Sequence, residues 1–237
     1  MRALLLAAGL GTRLKPLTDF KPKALVEING RSLLERNLDK LINEGFTDII
    51  INIHHFGEQI IDFINSRKWN ANISISDERE LLLDTGGAIK YAKGFLQKSK
   101  FFLVYNVDMV SDIDLKGFVA KHIDSNDIAT LAVTNRDSDR AFIINENNKL
   151  IGWRNRKTGE RIDARTTQHP KIVSFSGIHV IESSMLDIIN EEGVFSIIPT
   201  YLQIAKNHSV GVYFHDDKPC HDAGTPEAIA KLEKLLA

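Results

Sequence analysis

Two glycines and three cations stand close together near the start of the sequence. Gly9 and Gly11 directly follow an apolar run, and Arg13, Lys15 and Lys23 come soon after them. Glycines in such a loop let backbone N–H groups approach a phosphate closely, and fixed cations neutralise its charge. This segment therefore predicts a site for a phosphorylated ligand.

Two familiar phosphate-binding loops do not fit this segment. A dinucleotide fingerprint needs a third glycine at position 14, where the chain has Leu14, and the Gly-Lys-Ser/Thr ending of a Walker loop is missing. Pro16 and Pro22 forbid a regular helix through the stretch. We therefore expect a loop that lies over the carboxyl edge of a sheet, where α/β proteins bind their ligands.

Two aspartates follow expected strands at the same kind of position. Asp108 comes just after the strand Phe101–Tyr105, and Asp222 comes after the strand Val210–His215. Mg²⁺ prefers carboxylate oxygens, keeps several waters and bridges phosphate oxygens. A lone aspartate in a turn more often caps that turn, so position alone leaves both interpretations open for each residue.

The elements that must position these residues alternate along the first half of the chain. Ala3–Ala8 is a continuous apolar run, which is typical of a strand buried on both faces of a parallel sheet. The alternation predicts an α/β fold with a Rossmann-like, mixed, mostly parallel sheet and helices on both faces. Further strands are expected at Thr47–Ile53, Ile73–Ile75 and Phe101–Tyr105, and helices at Ser32–Gly45, Gly57–Trp69 and Ala88–Leu96.

The second half changes to strands separated by turns, followed by helices. We expect one domain over residues 1–237, with a nucleotide-binding half at about 1–110 and an acceptor-binding half at about 111–237. Arg154–Pro170 is polar and lacks periodicity, so it is expected to be a loop. The other expected elements are strands at Ile128–Thr134, Ala141–Ile144, Leu150–Trp153, Ile172–Ile181 and Val210–His215, and helices near Ser184–Ile189, Phe195–Lys206 and from Thr225.

Composition narrows the class of protein. The chain has 237 residues with 30 Lys and Arg, 31 Asp and Glu and a net charge of −1. Its overall charge therefore gives no general electrostatic attraction to nucleic acid or anionic membranes. Cys220 is the only cysteine, which excludes an internal disulfide framework and suits a reducing, cytoplasmic setting. No apolar stretch reaches the length of a membrane span.

The glycine segment resembles a known family signature. The run Gly9–Arg13, then Pro16, Thr18 and Pro22–Leu25, is similar to the signature of the sugar-nucleotide pyrophosphorylases, which join a sugar 1-phosphate to an NTP. The closest resemblance is to N-acetylmuramate-1-phosphate uridylyltransferases and to the mannose-1-phosphate guanylyltransferase-like group. Further matching segments are Asp84–Ala88, Phe175–Gly177 and Asp222–Pro226.

The resemblance implies the nucleotide-diphospho-sugar transferase fold and an Mg²⁺-dependent enzyme that makes an NDP-sugar and pyrophosphate. UTP or GTP and a sugar 1-phosphate are the implied substrates. Longer family members carry a C-terminal β-helix domain, which this chain is expected to lack. The implied roles are catalytic for Arg13 and Lys23, nucleotide-binding for Leu6, Ala8, Gly9, Gly11, Thr12, Gly86 and Gly87, sugar-phosphate-binding for Asn106 and Gly177, and metal-binding for Asp108 and Asp222.

Two departures from the family pattern leave questions open. The chain reads Asn106-Val107-Asp108 where a Gly-Asp is common, and it has no Glu-Lys-Pro segment, whose lysine binds the sugar phosphate in many members. Arg154, Arg156 or Lys157 could supply that cation instead. Asp77 or Glu78 could add a contact to the nucleobase. The base, the sugar and the oligomeric state stay undetermined.

Two other functions compete with this interpretation. A non-catalytic nucleotide-sugar sensor on the same fold would tend to lose the cations or carboxylates, yet Arg13, Lys23, Asp108 and Asp222 are all present. A cytidylyltransferase acting on phosphocholine or a similar alcohol phosphate would need an aromatic or acidic pocket for the cationic head group. The sequence shows no such cluster beyond Trp153 and scattered phenylalanines.

Overall fold

The computed structural model describes residues 1–136 and 138–236 of the chain. The strands are β1 Arg2–Leu6, β2 Glu27–Ile28, β3 Arg31–Ser32, β4 Asp48–Ile53, β5 Asn72–Asp77, β6 Phe101–Asn106, β7 Met109–Ser111, β8 Ala129–Thr134, β9 Arg140–Ile144, β10 Leu150–Asn155, β11 Arg161–Asp163, β12 Lys171–Glu182, β13 Val210–Phe214 and β14 Cys220–Asp222. The α-helices are α1 Leu33–Asn43, α2 Gly57–Asn65, α3 Asp84–Tyr91, α4 Lys93–Leu96, α5 Leu115–Ile123, α6 Ile197–Ala205 and α7 Pro226–Leu235.

One large sheet runs through both halves of the described chain, in the order β11-β10-β9-β12-β6-β1-β4-β5, with β8 paired to β12 and β13 to β8. Strands β6, β1, β4 and β5 of the first half are parallel to one another, as the β-α alternation predicts. Strand β12 of the second half pairs antiparallel with β6 and joins the two halves. The expected α/β class is therefore confirmed.

Strand β1 shows why the sheet carries helices on both faces. Ala3 and Leu5 belong to one buried core, which also contains apolar side chains of α1, α2, α5 and α7. Leu4 belongs to the opposite core, which contains those of α3, α4 and α6. Successive strand residues point to opposite faces, so a continuous apolar run fits only a strand covered on both sides.

Local sequence signals explain several helix boundaries. Ser32 caps α1 because its Oγ accepts a hydrogen bond from the Glu35 N–H at 3.1 Å. Gly45 follows the helix with φ of +83°, the left-handed conformation that ends helices. Asp114 caps α5 through the Gly117 N–H at 2.9 Å.

The expected loop at Arg154–Pro170 is wrong in part. Strand β10 continues to Asn155, and β11 pairs antiparallel with it, so that Trp153 lies opposite Ile162. Both side chains pack against the core that contains Leu4, and this tertiary contact orders the hairpin. The polar residues between the two strands give no sign of it in the sequence. None of the described helices is both long and apolar enough to cross a membrane.

Candidate functional site

A cleft of about 430 Å³ opens at the carboxyl edge of the parallel strands. The ends of β1, β4 and β6 contribute Leu6, Asn52 and Asn106 to its floor. Ligands of open α/β sheets bind at this edge. The described residues that line the cleft are Leu6, Ala8, Gly9, Lys23, Asn52, Glu78, Leu82, Asp84, Thr85, Ala88, Asn106, Val107, Asp108 and Val194.

The glycine loop is held in a fixed shape beside this cleft. Gly11 has φ of +64°, and a Cβ atom there would come within 2.8 Å of Thr18 Cγ2. The Thr18 hydroxyl donates a hydrogen bond to the Gly11 carbonyl at 2.8 Å. Residue 11 therefore must be glycine for both its backbone angle and its close packing. Thr12 begins the short 3₁₀ turn Thr12–Leu14 that follows.

Lys23 reaches into the cleft and forms an ion pair with Asp108. Both side chains are largely buried, and both line the cleft. The backbone around Asp108 is anchored, since the Asn37 amide donates to the Val107 carbonyl at 2.7 Å. The structure thus places a fixed cation and a fixed carboxylate together where a phosphate group would enter.

A second ion pair lies beside the first and is more exposed. The Arg13 guanidinium is 3.8 Å from an Asp222 carboxylate oxygen. Strand β14 pairs with β7 so that Asp222 lies opposite Met109, and the Ala223 N–H donates to the Asp108 carbonyl at 2.8 Å. This small sheet brings Asp108 and Asp222 together, although they are far apart in the sequence.

The carboxylate oxygens of Asp108 and Asp222 suit a divalent cation that also binds phosphate oxygens. Asp108 and Asp222 offer hard carboxylate oxygens, and Mg²⁺ usually takes one or two carboxylates plus waters and phosphate oxygens. The described residues contain no group of three or more His, Cys, Asp and Glu side chains that could hold a metal alone. His215, near Asp222 in sequence, is buried and bonded through Nε2 to the Ser176 hydroxyl at 2.7 Å.

Gly86 and Gly87, the two glycines expected to recognise the nucleobase, use their N–H groups in hydrogen bonds within the protein. Both the Gly86 and the Gly87 N–H groups donate to the Phe195 carbonyl, at 2.9 and 3.2 Å. A Cβ on Gly86 would overlap the Phe195 ring at 2.4 Å, so close packing requires glycine there. Their neighbours Thr85 and Ala88 line the cleft. A role for Gly86 and Gly87 in base recognition stays a prediction.

Asn106 and Gly177, expected to bind the sugar phosphate, are in direct contact. Gly177 lies on β12 with φ of +68°, and a Cβ atom there would be 2.7 Å from Asn106 Nδ2. A side chain at residue 177 would therefore displace the Asn106 amide, which lines the cleft. The structure brings these two residues together, and their role in binding a sugar phosphate stays a prediction.

Of the two acidic candidates for a base contact, only Glu78 lines this cleft. Asp77 is exposed and pairs with Arg79. Glu78 is buried and accepts a hydrogen bond from the Asn52 amide at 3.0 Å. Burial raises the pKa of Glu78, and the Asn52 amide, the Leu83 N–H and His54 oppose that rise with smaller effects.

None of the three candidate acceptor-phosphate cations is among the described residues lining the cleft. Arg154 lies on β10 and is half-buried. Arg156 and Lys157 follow it in the turn and pair with Asp139 at 3.3 and 2.9 Å. The residue that meets the acceptor phosphate is therefore not identified by this arrangement.

Asn52 is a cleft residue that the sequence analysis missed. Its side-chain oxygen accepts from the Ala7 N–H at 2.6 Å and the Ala8 N–H at 3.3 Å, so it fixes the start of the glycine loop. A signal was present, because Asn52 is a polar residue near the end of the otherwise apolar strand β4. Ala8 and Leu6 also line the cleft, as expected.

Taken with the fold, this cleft at the carboxyl edge of a Rossmann-like sheet has the position typical of a ligand-binding site in α/β proteins. Residues 2–236 match the nucleotidyl transferase family, and the chain belongs to that family. The resemblance found in the glycine segment is thereby confirmed at the level of the family.

Individual proteins show the same relationship. An N-acetylmuramate alpha-1-phosphate uridylyltransferase of Caulobacter vibrioides is 40% identical over 111 residues, which is 46% of this chain and 46% of that protein. A mannose-1-phosphate guanyltransferase of Hypocrea jecorina is 36% identical over 137 residues, 56% of this chain and 37% of that protein. The chain thus aligns with about half of the first relative and less of the second.

A solved structure extends the likeness of fold to nearly the whole chain. The UDP-glucose pyrophosphorylase of Acinetobacter baumanii superposes with a TM-score of 0.80 over 98% of this chain and 91% of that one. Sequence identity is 16%, so this match concerns the fold. The expected nucleotide-diphospho-sugar transferase fold is therefore confirmed.

Proposed function

We propose that this protein is a Mg²⁺-dependent nucleotidyltransferase that condenses an NTP with a sugar 1-phosphate to give an NDP-sugar and pyrophosphate. The observation that carries the proposal is the meeting of two cation–carboxylate pairs, Lys23–Asp108 and Arg13–Asp222, beside the glycine loop. Family membership and the named activities of the partial relatives support it.

The reaction needs no general base from the protein. A phosphate monoester has a second pKa of about 6, so the sugar phosphate is already an anionic nucleophile near neutral pH. Its oxygen attacks the α-phosphorus of the NTP, a new P–O bond forms, and the bond to the β-phosphate oxygen breaks to release pyrophosphate. Catalysis then depends on positioning and on neutralising charge.

The two cations suit different parts of this reaction. Lys23 is held deep in the cleft, where it neutralises the α-phosphate and the incoming phosphate. Arg13 lies in the glycine loop and is exposed, and its planar guanidinium can hold the β- and γ-phosphates and stabilise the departing pyrophosphate. Gly9, Gly11 and Thr12 shape the backbone around the triphosphate.

Asp108 and Asp222 would hold the metal ion. Mg²⁺ bound there supplies positive charge to phosphate oxygens during the displacement. The two carboxylates pair with Lys23 and Arg13 in the described arrangement, and a metal ion on the carboxylates would leave both cations to interact with phosphate. Asn106 and Gly177 would contact the sugar phosphate from the β12 side.

The proposal includes the partners and the setting. UTP or GTP is the expected nucleotide, since the relatives named above are a uridylyltransferase and a guanyltransferase. Residues 1–110 and 111–237 would act as the nucleotide and acceptor halves of one domain, because one sheet joins them. We expect the reaction to take place in the cytoplasm, without nucleic-acid or membrane partners.

A pyrophosphate-release screen tests the proposal. The purified chain is incubated with each of four NTPs against a panel of sugar 1-phosphates and phosphocholine, with Mg²⁺ or with EDTA. We expect release with UTP or GTP and at least one sugar 1-phosphate, and its loss in EDTA. Nucleotide binding without release for any pair would favour the non-catalytic sensor, and release only with CTP and phosphocholine would favour the cytidylyltransferase.

A further inference from the structure

A segment of the second half of the chain forms part of the wall of the cleft. Residues 189–196 lie between the 3₁₀ turn Ser183–Asp187 and α6, and none of them belongs to a described helix or strand. Val194 of this segment lines the cleft together with Thr85 and Ala88 of α3. Because the segment has no regular structure of its own, contacts with neighbouring elements must hold Val194 in place.

Backbone hydrogen bonds join the C-terminal end of this segment to the start of α3. The Phe195 N–H donates to the Leu83 carbonyl at 3.2 Å, and the Phe195 carbonyl accepts from two N–H groups of α3. The Ile197 N–H donates to the Thr85 hydroxyl at 3.1 Å. These bonds place Val194 beside α3, a helix of the nucleotide half, and they fix the chain on one side of it.

Lys90, in the last turn of α3, holds the other side of the segment. Its ammonium donates to the Ile189 carbonyl at 3.1 Å, to the Glu191 carbonyl at 2.6 Å and to a Glu192 carboxylate oxygen at 2.6 Å. An ammonium has three N–H donors, so this one segment uses all of them. The Lys90 side chain is only 19% exposed, so these bonds are poorly replaced by water.

The chain turns sharply between the Lys90 contacts and Val194. Gly193 has φ of +69°, a left-handed conformation that favours glycine. The Gly193 carbonyl lies so close to α3 that a Cβ atom on Gly87 would overlap it. Val194 is therefore positioned by one anchor before it, at Lys90, and by a second anchor after it, at Phe195.

We propose that Lys90 is a positioning residue for nucleotide binding, which holds the 189–196 segment against α3 so that Val194 is in place as a wall of the cleft before the NTP binds. This inference rests on the proposed function and adds that a segment of the acceptor half helps to bind the nucleotide. Val194 is 57% exposed, and a ligand that fills the cleft would cover it. A wall that is already in place need not be ordered on binding.

Lys90→Met removes the three donors and keeps most of the aliphatic stem of the side chain. The segment then loses its first anchor, and a bound NTP must order it. We expect the Kd of the NTP to rise about 10-fold, because ordering a loop on binding lowers affinity. The measurement is equilibrium binding of UTP and GTP to the full chain, without a sugar 1-phosphate.

Hydrogen exchange of the free chain tests the anchor without any ligand. In Lys90→Met the amides of residues 189–196 should exchange about 10-fold faster than in the parent, whereas those of β1 and β4 should be unchanged. Equal exchange of the segment in the two proteins would overturn the anchoring role of Lys90.

Val194→Ala tests whether Lys90 acts through this wall. We expect an unchanged thermal midpoint and a Kd about 3-fold higher, since alanine offers the ligand less apolar surface to cover. In Lys90→Met/Val194→Ala the Kd should exceed that of Lys90→Met by less than about 2-fold, because the wall is already displaced. A merely structural role of Lys90 would give additive losses, which overturn the inference. An unchanged Kd in Val194→Ala also overturns it, so the inference stays falsifiable if Lys90→Met does not fold.

Lys93→Ala is the matched control. Lys93 pairs with Asp187 at 2.9 Å, just before the segment, so its loss should leave both the Kd and the exchange of residues 189–196 unchanged. A loss of affinity equal to that of Lys90→Met would contradict the specific role of Lys90.

The outcomes separate this inference from the proposed function. Binding of neither UTP nor GTP by the parent would contradict both. Parent binding that Lys90→Met leaves unchanged would overturn this inference alone. Failure of the transfer reaction alone would appear as binding without pyrophosphate release and would not disturb these comparisons, because they are made without an acceptor.

Discussion

The two ion pairs of the candidate site carry the same charges but differ in their surroundings, since Lys23 and Asp108 line the cleft and Arg13 and Asp222 are not among its described lining residues. In Lys23–Asp108 the side chains are 14% and 16% exposed, whereas in Arg13–Asp222 they are 62% and 48% exposed. Solvent screens the exposed pair, so it contributes little to stability. The more buried pair has lost much of its hydration, so each member depends on its partner.

From this difference in burial we infer that the two pairs would contribute to the proposed reaction in different ways. Under the proposed function, Lys23 and Asp108 would already lie where the reacting phosphates meet, so little reorganisation would be needed during transfer. Arg13 can leave Asp222 at low cost and close over the outer phosphates. Substitutions in either pair should therefore lower activity, whereas only those in the buried pair should also lower stability.

Lys23→Ala should give the largest effect. It removes the buried cation and leaves Asp108 largely buried without its partner, so we expect turnover to fall about 10³-fold and the thermal midpoint to drop as well. Pyrophosphate release and thermal unfolding measure the two effects. Lys21→Ala, a neighbouring lysine outside the cleft, is the matched control, and a stable, active Lys23→Ala would remove the assigned role.

Asp108→Asn and Asp222→Asn sharpen the comparison on the acidic side. Both should lower Mg²⁺-dependent turnover by about 10²-fold or more, because each removes a proposed metal ligand. Only Asp108→Asn should also lower stability, since it leaves Lys23 without a partner in a largely buried place. A Mg²⁺ titration and thermal melts distinguish them, with exposed Asp112→Asn as control. Full activity in either variant would move the metal site elsewhere.

Arg13→Ala should lower turnover about 10²-fold while leaving the free energy of unfolding nearly unchanged. Loss of the exposed ion pair removes little Coulomb energy from the folded state. Loss of the guanidinium removes the charge that would stabilise the departing pyrophosphate. Arg31→Ala breaks a comparably exposed pair with Asp39 outside the cleft and should keep full turnover. Near-normal turnover in Arg13→Ala would contradict its role.

Gly11→Ala should give the smallest loss of activity among these variants. It tests the loop that carries Arg13. The left-handed backbone costs a non-glycine residue about 1–2 kcal/mol, and the new Cβ would also press on Thr18. Gly30→Ala has a similar φ of +72° with open space around it, so it controls for the backbone cost alone. Denaturant unfolding should show the greater loss in Gly11→Ala, and only that variant should lose activity. Equal losses would mean that the contact with Thr18 is unimportant.

Much of the first half could be predicted from the sequence, because its signals are local. The apolar run before Gly9, the Ser32 cap and the stop at Gly45 depend on neighbours along the chain. The hairpin of β10 and β11 was not foreseen, since its order comes from Trp153 and Ile162 packing on a distant core.

The candidate site divides in the same way. The sequence indicated the types of residue needed and placed Lys23, Asn106 and Asp108 near one sheet edge, and the structure has all three lining one cleft. It left Asp77 and Glu78 as alternatives and missed Asn52. Of the first two, only Glu78 lines the cleft, and hydrogen bonds from the Ala7 and Ala8 N–H groups hold the Asn52 side chain in place.

The sequence by itself determined a glycine loop with fixed cations on a parallel sheet, because glycine, proline and apolar periodicity act on nearby backbone. The tertiary structure alone decided that Asp222 lies beside Asp108, through the pairing of β14 with β7. It also decided that the Gly86 N–H serves the Phe195 carbonyl. Such contacts join distant segments, and their partners are fixed by the packing of the whole chain.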